Sequence, residues 1–210
     1  MTFNFFYFQE TKIDLAFLID GSDTVGERNF RISLDFAKTI GDSFWTQFGS
    51  LHLGLVVFGA DASVIFDFDN SYKDITDINN AISNAAFPGG GKVMVGDALK
   101  WTETHLFGSK HQDSYKRILV VIIGSSSGDD VFLGAEMLKE NSVTTFCIGV
   151  GSNFEKTQID GIASSPSSDN VLTVSTYPGL AFLKQPLIHK IEQGKIILAI
   201  PLSLNCIMSS

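Results

Sequence analysis

At 210 residues, 44% of them hydrophobic and 18% charged, the chain is long enough to bury one core and has an ordinary globular balance. A net charge of −8 and a pI near 4.8 weigh against a binder that tracks a nucleic-acid backbone, which needs clustered Lys and Arg, whereas the 15 basic residues here are scattered. Two cysteines, Cys147 and Cys206, exclude a disulfide framework and lack zinc-site spacing.

The opening MTFNFFYFQETK, residues 1–12, is aromatic but has no positively charged start and no small-residue cleavage site, so no signal peptide is recognised and the segment is left undetermined. The first strand is predicted at 13–19, IDLAFLI, and is followed by a loop rich in oxygen donors, DGSDTVG. A helix over 27–40 carries Phe30, Leu34, Ala37 and Ile40 on one stripe. A strand at 52–58 follows, then a shorter alternating one at 62–68 that reads as an antiparallel edge.

Helices are predicted over 74–84 and 95–107, with FPGGGK at 87–92 as a flexible loop between them. Strands at 117–123 and 143–150 alternate with helices at 130–140 and 155–164, and a last strand falls at 171–174. The long strands are near-continuous apolar runs, as expected for strands covered on both faces of a parallel sheet. Together the pattern predicts a doubly wound α/β domain: a mostly parallel six-stranded sheet with one antiparallel edge strand and helices on both faces, Rossmann-like. The domain is expected over 13–193. The tail 194–210 is apolar for about 13 residues but is interrupted by Pro201 and falls short of the roughly 20 a span requires, so no membrane insertion is expected.

Asp20 ends the first strand, and Ser22 and Thr24 follow at alternate positions, so one carboxylate and two hydroxyls can face a common point. Oxygen donors of this kind suit a hard cation such as Mg²⁺, although Asp-Gly-Ser is also an ordinary turn. Asp129 and Asp130 are expected at a helix N-terminus, where carboxylates face the macrodipole favourably. The four histidines are dispersed without metal spacing, Cys147 reads as a small core residue, and Trp45 and Trp101 read as packing.

In order along the chain, DLAFLIDGSDTVGERNF, HLGLVVFG, GDALKWTETHLF, RILVVIIGSSSGDDV, VTTFCIGVG and GIASSPSSDNVLTVSTYPGLAFL resemble the segments of the von Willebrand factor A domain, over about residues 13–193. That resemblance implies a protein-binding or adhesion module of extracellular-matrix or cell-surface type, not an enzyme, and a partner such as collagen, another matrix protein or a second copy of the chain. It also implies a metal-ion-dependent adhesion site (MIDAS) on top of the sheet. Its five ligand positions are Asp-x-Ser-x-Ser after the first strand, a Thr before the Gly-x-Ala-Leu helix, and an Asp after the fourth strand.

Asp20 and Ser22 match, and Thr24 keeps the hydroxyl of the last serine. The other two positions fall on Val93 and Gly124, neither of which carries an oxygen in its side chain. The expected consequence is a degenerate site with no resident cofactor, at which Mg²⁺ or Mn²⁺ would bind only with low affinity, and an adhesion module that has lost its metal dependence. The alternative is a weak Mg²⁺-dependent adhesion domain that binds an acidic ligand residue. A more distant one is a phosphotransferase of the haloacid dehalogenase type, but Ser22 stands where its second aspartate would be needed. Pro186 within 179–192 is expected to break the last helix or to sit in its first turn.

Overall fold

The computed structural model describes residues 12–47, 51–69, 72, 74–108 and 115–193. Six strands form one sheet: β1 (Lys12–Asp20), β2 (Leu51–Phe58), β3 (Ala62–Phe66), β4 (Tyr115–Ile123), β5 (Val143–Val150) and β6 (Val171–Val174), in the spatial order β3-β2-β1-β4-β5-β6. All neighbours are parallel except β3, which pairs antiparallel with β2 at the edge, as its alternating pattern predicts. The helices are α1 (Glu27–Gln47), α2 (Ile75–Asn84), α3 (Val95–Thr102), α4 (Val131–Glu140), α5 (Lys156–Ile162), the single turn α6 (Ser167–Asn170) and α7 (Leu180–Gln193).

Strand periodicity divides the core in two. Ile13, Leu15, Phe17 and Ile19 of β1 join α1, α2 and α7 on one face, while Ala16 and Leu18 join α3, α4 and α5 on the other. Phe30, Phe44 and Phe58 are fully buried, each worth about 1.5–3 kcal/mol by leaving water. Cys147 is a buried free thiol in the core on the α3, α4 and α5 side, while Cys206 falls outside the described residues.

Three elements depart from the sequence pattern. Helix α1 continues to Gln47, with Phe44 buried and Trp45 packed at the edge of the core. The helix begun by α3 widens after Thr102 into a π-helical turn, Glu103–Phe107, which buries Leu106 and Phe107. Helix α7 runs through Pro186 without interruption. Pro186 faces solvent, as does Phe182 one turn earlier, so the carbonyl that loses its helical donor meets water, while Leu180, Leu187, Ile188 and Ile191 anchor the opposite side.

The apolar runs also conceal a charged layer near the amino ends of the strands. Asp14 is in register with His52 on β2 and with Arg117 on β4, so the three lie side by side on one face. Asp14 Oδ1 and His52 Nδ1 are 2.9 Å apart, and the His52 ring stacks on Tyr115. Arg117 donates to the carbonyls of Asn141, at 2.9 Å, and Phe107, and Asn141 in turn donates to Glu103.

Candidate metal centre at the top of the sheet

Crossovers leave β1 and β4 in opposite directions, so the carboxyl ends of these two adjacent strands form the crevice where doubly wound sheets place their ligands. β1 delivers Asp20 there at 1% exposure. One carboxylate oxygen accepts the Ser22 N–H at 3.0 Å; the other accepts the Ser125 hydroxyl at 3.2 Å and lies 3.4 Å from the Gly124 nitrogen. Burial raises the Asp20 carboxyl above its ordinary range, against the opposing pull of the Ser22, Gly124 and Ser125 donors. Desolvation wins because no cationic side chain is among the groups acting on it.

The turn after Asp20 closes through the Val25 and Gly26 amides, both donating to the Ser22 carbonyl. This buries Ser22 fully, with its Oγ left without a partner of hydrogen-bonding geometry, and leaves Thr24 exposed. Asp20 and Ser22 are thus brought together, and Thr24 stands outside them.

The glycine loop is held against this turn. Gly89 donates to the Gly21 carbonyl at 3.0 Å, and Asp23 donates to the Gly90 carbonyl at 3.1 Å. Gly89 and Gly90 have φ of +63° and +99°, a region that favours glycine, so the run of glycines serves a fixed shape rather than a free loop. Val93 then turns its side chain into the core with Val95, Ala98 and Leu99. Its backbone carbonyl accepts the Gly128 N–H at 2.8 Å.

The loop after β4 is organised by its own polar groups. Asp130 caps α4 through the Phe132 N–H, as expected of a carboxylate at that helix start. Asp129 caps a different helix: it accepts the Gly96 and Asp97 amides of α3, at 2.9 and 2.7 Å, and the Ser127 hydroxyl. Ser127 Oγ also accepts the Val95 N–H, and Gln158 of α5 brackets the Ser127 backbone with one bond in each direction. Neither aspartate is therefore directed to Asp20. Among the described residues no group of three or more His, Cys, Asp or Glu is gathered in a way that could hold a metal ion.

Ser125 was within reach of sequence reasoning, being next to Gly124, but nothing local marks it as the partner of Asp20. Tyr177, in the 3₁₀ turn Tyr177–Gly179 before α7, carried no signal at all. A Cβ at Gly124 would overlap its hydroxyl, and it stands at the site only because the turn between β6 and α7 is brought beside β4.

The von Willebrand factor type A domain model matches residues 14–185, most of the chain. The chain belongs to this family. It is 30% identical over 183 residues to the collagen alpha-1(XXI) chain of Xenopus laevis, covering 87% of this chain and 19% of that protein. It is 28% identical over 182 residues to human cochlin, with coverages of 87% and 32%. Among solved structures it is similar to proximal thread matrix protein 1 from the mussel byssus with a zinc-occupied MIDAS motif: 27% identity, a TM-score of 0.79, 87% of this chain and 48% of that chain. The domain therefore spans a minor part of these curated relatives and about half of the byssal chain. Among the described residues no helix is long and apolar enough to cross a membrane.

Proposed function

We propose that this A domain is a protein-binding module of the extracellular matrix that engages its partner without a metal ion. The observation that supports this most is the donor set around Asp20: a single carboxylate, with Val93 committed to the apolar core and Gly124 offering no side chain. Mg²⁺ demands near-octahedral oxygen ligation and gives up water reluctantly, so with one carboxylate and no side-chain oxygen at Val93 or Gly124 the residues present fit it poorly. Nothing in this reading requires turnover, and Ser22 leaves the site without the second carboxylate a phosphotransferase would use.

A collagen chain and a byssal matrix protein among the relatives point to a partner of matrix type, collagen or a second copy of the domain included. We place the contact on the top face, on the loops at 20–26, 88–95 and 124–130. Phe132 and Leu133 sit in the first turn of α4 next to that face, 58% and 56% exposed. Two adjacent apolar side chains held in water suit a contact surface.

The test is binding to a panel of immobilised collagens and to the domain itself, with and without chelator. Chelator should change nothing, Phe132→Ser with Leu133→Ser should weaken binding at least tenfold, and Phe182→Ser on α7, 82% exposed, should leave it intact. Loss of binding in chelator defeats metal independence; loss through Phe182 alone moves the contact to the side of the domain. One observation favours the second reading, a weak Mg²⁺ or Mn²⁺ site: Ser22 Oγ is buried beside Asp20 without a partner, and Ser125 offers a replacement oxygen. Calorimetric titration of both ions, with Asp20→Ala as control, decides between them.

A further inference from the structure

Gly124 and Tyr177 lie 53 positions apart and explain each other. A Cβ at position 124 would overlap the Tyr177 hydroxyl and stand 3.0 Å from ring Cζ and 3.3 Å from Val25 Cγ2. The first contact is closer than real Cβ atoms tolerate and the other two are tighter than most, and the ring is no loose side chain, because it is packed against the core formed by α1, α7 and the sheet. The hydroxyl itself is buried and has no hydrogen-bond partner. Burial and the charge on Asp20 both push the phenol above its ordinary range, which places its oxygen in the electrostatic surroundings of that carboxylate. A buried, unbonded hydroxyl is costly, and the ring that carries it is half-buried against the core.

We propose that Tyr177 is an internal plug of the degenerate site: its phenol fills the volume that a carboxylate side chain at position 124 would require. The top of β1 and β4 is thus closed by the turn leading into α7. Two consequences follow. Position 124 accepts only glycine while Tyr177 is present, and an aspartate introduced at 124 alone does not rebuild a metal site, because its first carbon has no room.

This rests on the reading that the domain works without metal, yet the two can fail separately. The first measurement is a stability cycle of Gly124→Ala in the unsubstituted chain and in Tyr177→Phe, both conservative changes. Gly124→Ala should lower Tm clearly in the unsubstituted chain and by less than half as much once the hydroxyl is gone. An equal loss in both backgrounds overturns the plug. The second is Mn²⁺ titration, by thermal shift and calorimetry, of Gly124→Asp with Val93→Thr, and of the same pair with Tyr177→Ala. At least tenfold tighter binding is expected when Tyr177 is removed, and equal affinity with the tyrosine in place overturns the proposal. Mn²⁺ binding by the unsubstituted chain would instead defeat the metal-independent reading and leave the coupling between 124 and 177 to be judged by the stability cycle.

Discussion

The sheet buries a carboxylate near each end, and the two are treated differently. Asp14, near the amino ends of the strands, has His52 and Arg117 beside it in register, and the polar groups around Arg117 are paired onward to Asn141, Phe107 and Glu103. Asp20, at the carboxyl ends, has only neutral donors, and two hydroxyls nearby, Ser22 Oγ and Tyr177 Oη, have no partner. Burial raises both carboxyls, but at Asp14 it is opposed by His52 and by the charge of Arg117. The first end is a charged network; the second is a buried carboxylate held by neutral donors alone. A buried charge is thus informative mainly through what surrounds it.

The contrast is most exposed to Arg117→Ala, which leaves the Asp14 and Glu103 carboxylates and two backbone carbonyls without their cation. A loss of about 3–5 kcal/mol is expected in denaturant unfolding. A loss under about 1 kcal/mol would mean the lower network is no network. His52→Ala comes next: it removes the bond to Asp14 and the stack on Tyr115, and it should cost about 1.5–3 kcal/mol by the same measurement.

Asp20→Asn should act in the opposite direction. Because burial raises the folded carboxyl, ionising Asp20 costs more in the folded chain than in the unfolded one. Its contribution to stability is fully present below the ordinary value of 3.8 and is lost as pH rises through the folded value. The Asn variant should therefore match the parent near pH 3 and exceed it in Tm at pH 7. Tm against pH for the two proteins checks this, and a lower Tm for the variant at pH 7 would show that the donors of Ser22, Gly124 and Ser125 outweigh the cost of burial. The smallest effect is expected of Ser22→Ala, which removes a hydroxyl beside Asp20 that lacks a partner of full hydrogen-bonding geometry: a change within about 0.5 kcal/mol, measured by urea unfolding.

The sheet and its flanking helices were legible because strand and helix periodicities are local. The unbroken apolar run at 13–19, buried on both faces, and the helical stripe of 27–40 each reflect the direction of neighbouring side chains. The site was legible only in part. Asp20, Ser22 and Thr24 lie within five positions, and their grouping could be proposed from spacing, yet which of them share a pocket depended on a turn that buries Ser22 and exposes Thr24. Asp129 is the clearest case of a local signal with a non-local answer: a carboxylate one position before Asp130 looks like part of the α4 start, and it caps α3. Pro186 shows the same limit, since the cost of a proline inside a helix depends on whether the freed carbonyl faces water.

Read by itself, the order of apolar runs and stripes determined a doubly wound α/β domain, and the ordered motifs along the chain determined its family and the lost oxygens at Val93 and Gly124. These follow from residue identity and short-range geometry, which no distant part of the chain can alter. Tertiary structure alone decided that Asp14, His52 and Arg117 stand side by side, that Asp129 serves α3, and that the Tyr177 hydroxyl fills the space beside Gly124. The reason is physical: burial and hydrogen bonding are settled by which groups meet after the strands pair, and parallel pairing joins residues far apart along the chain.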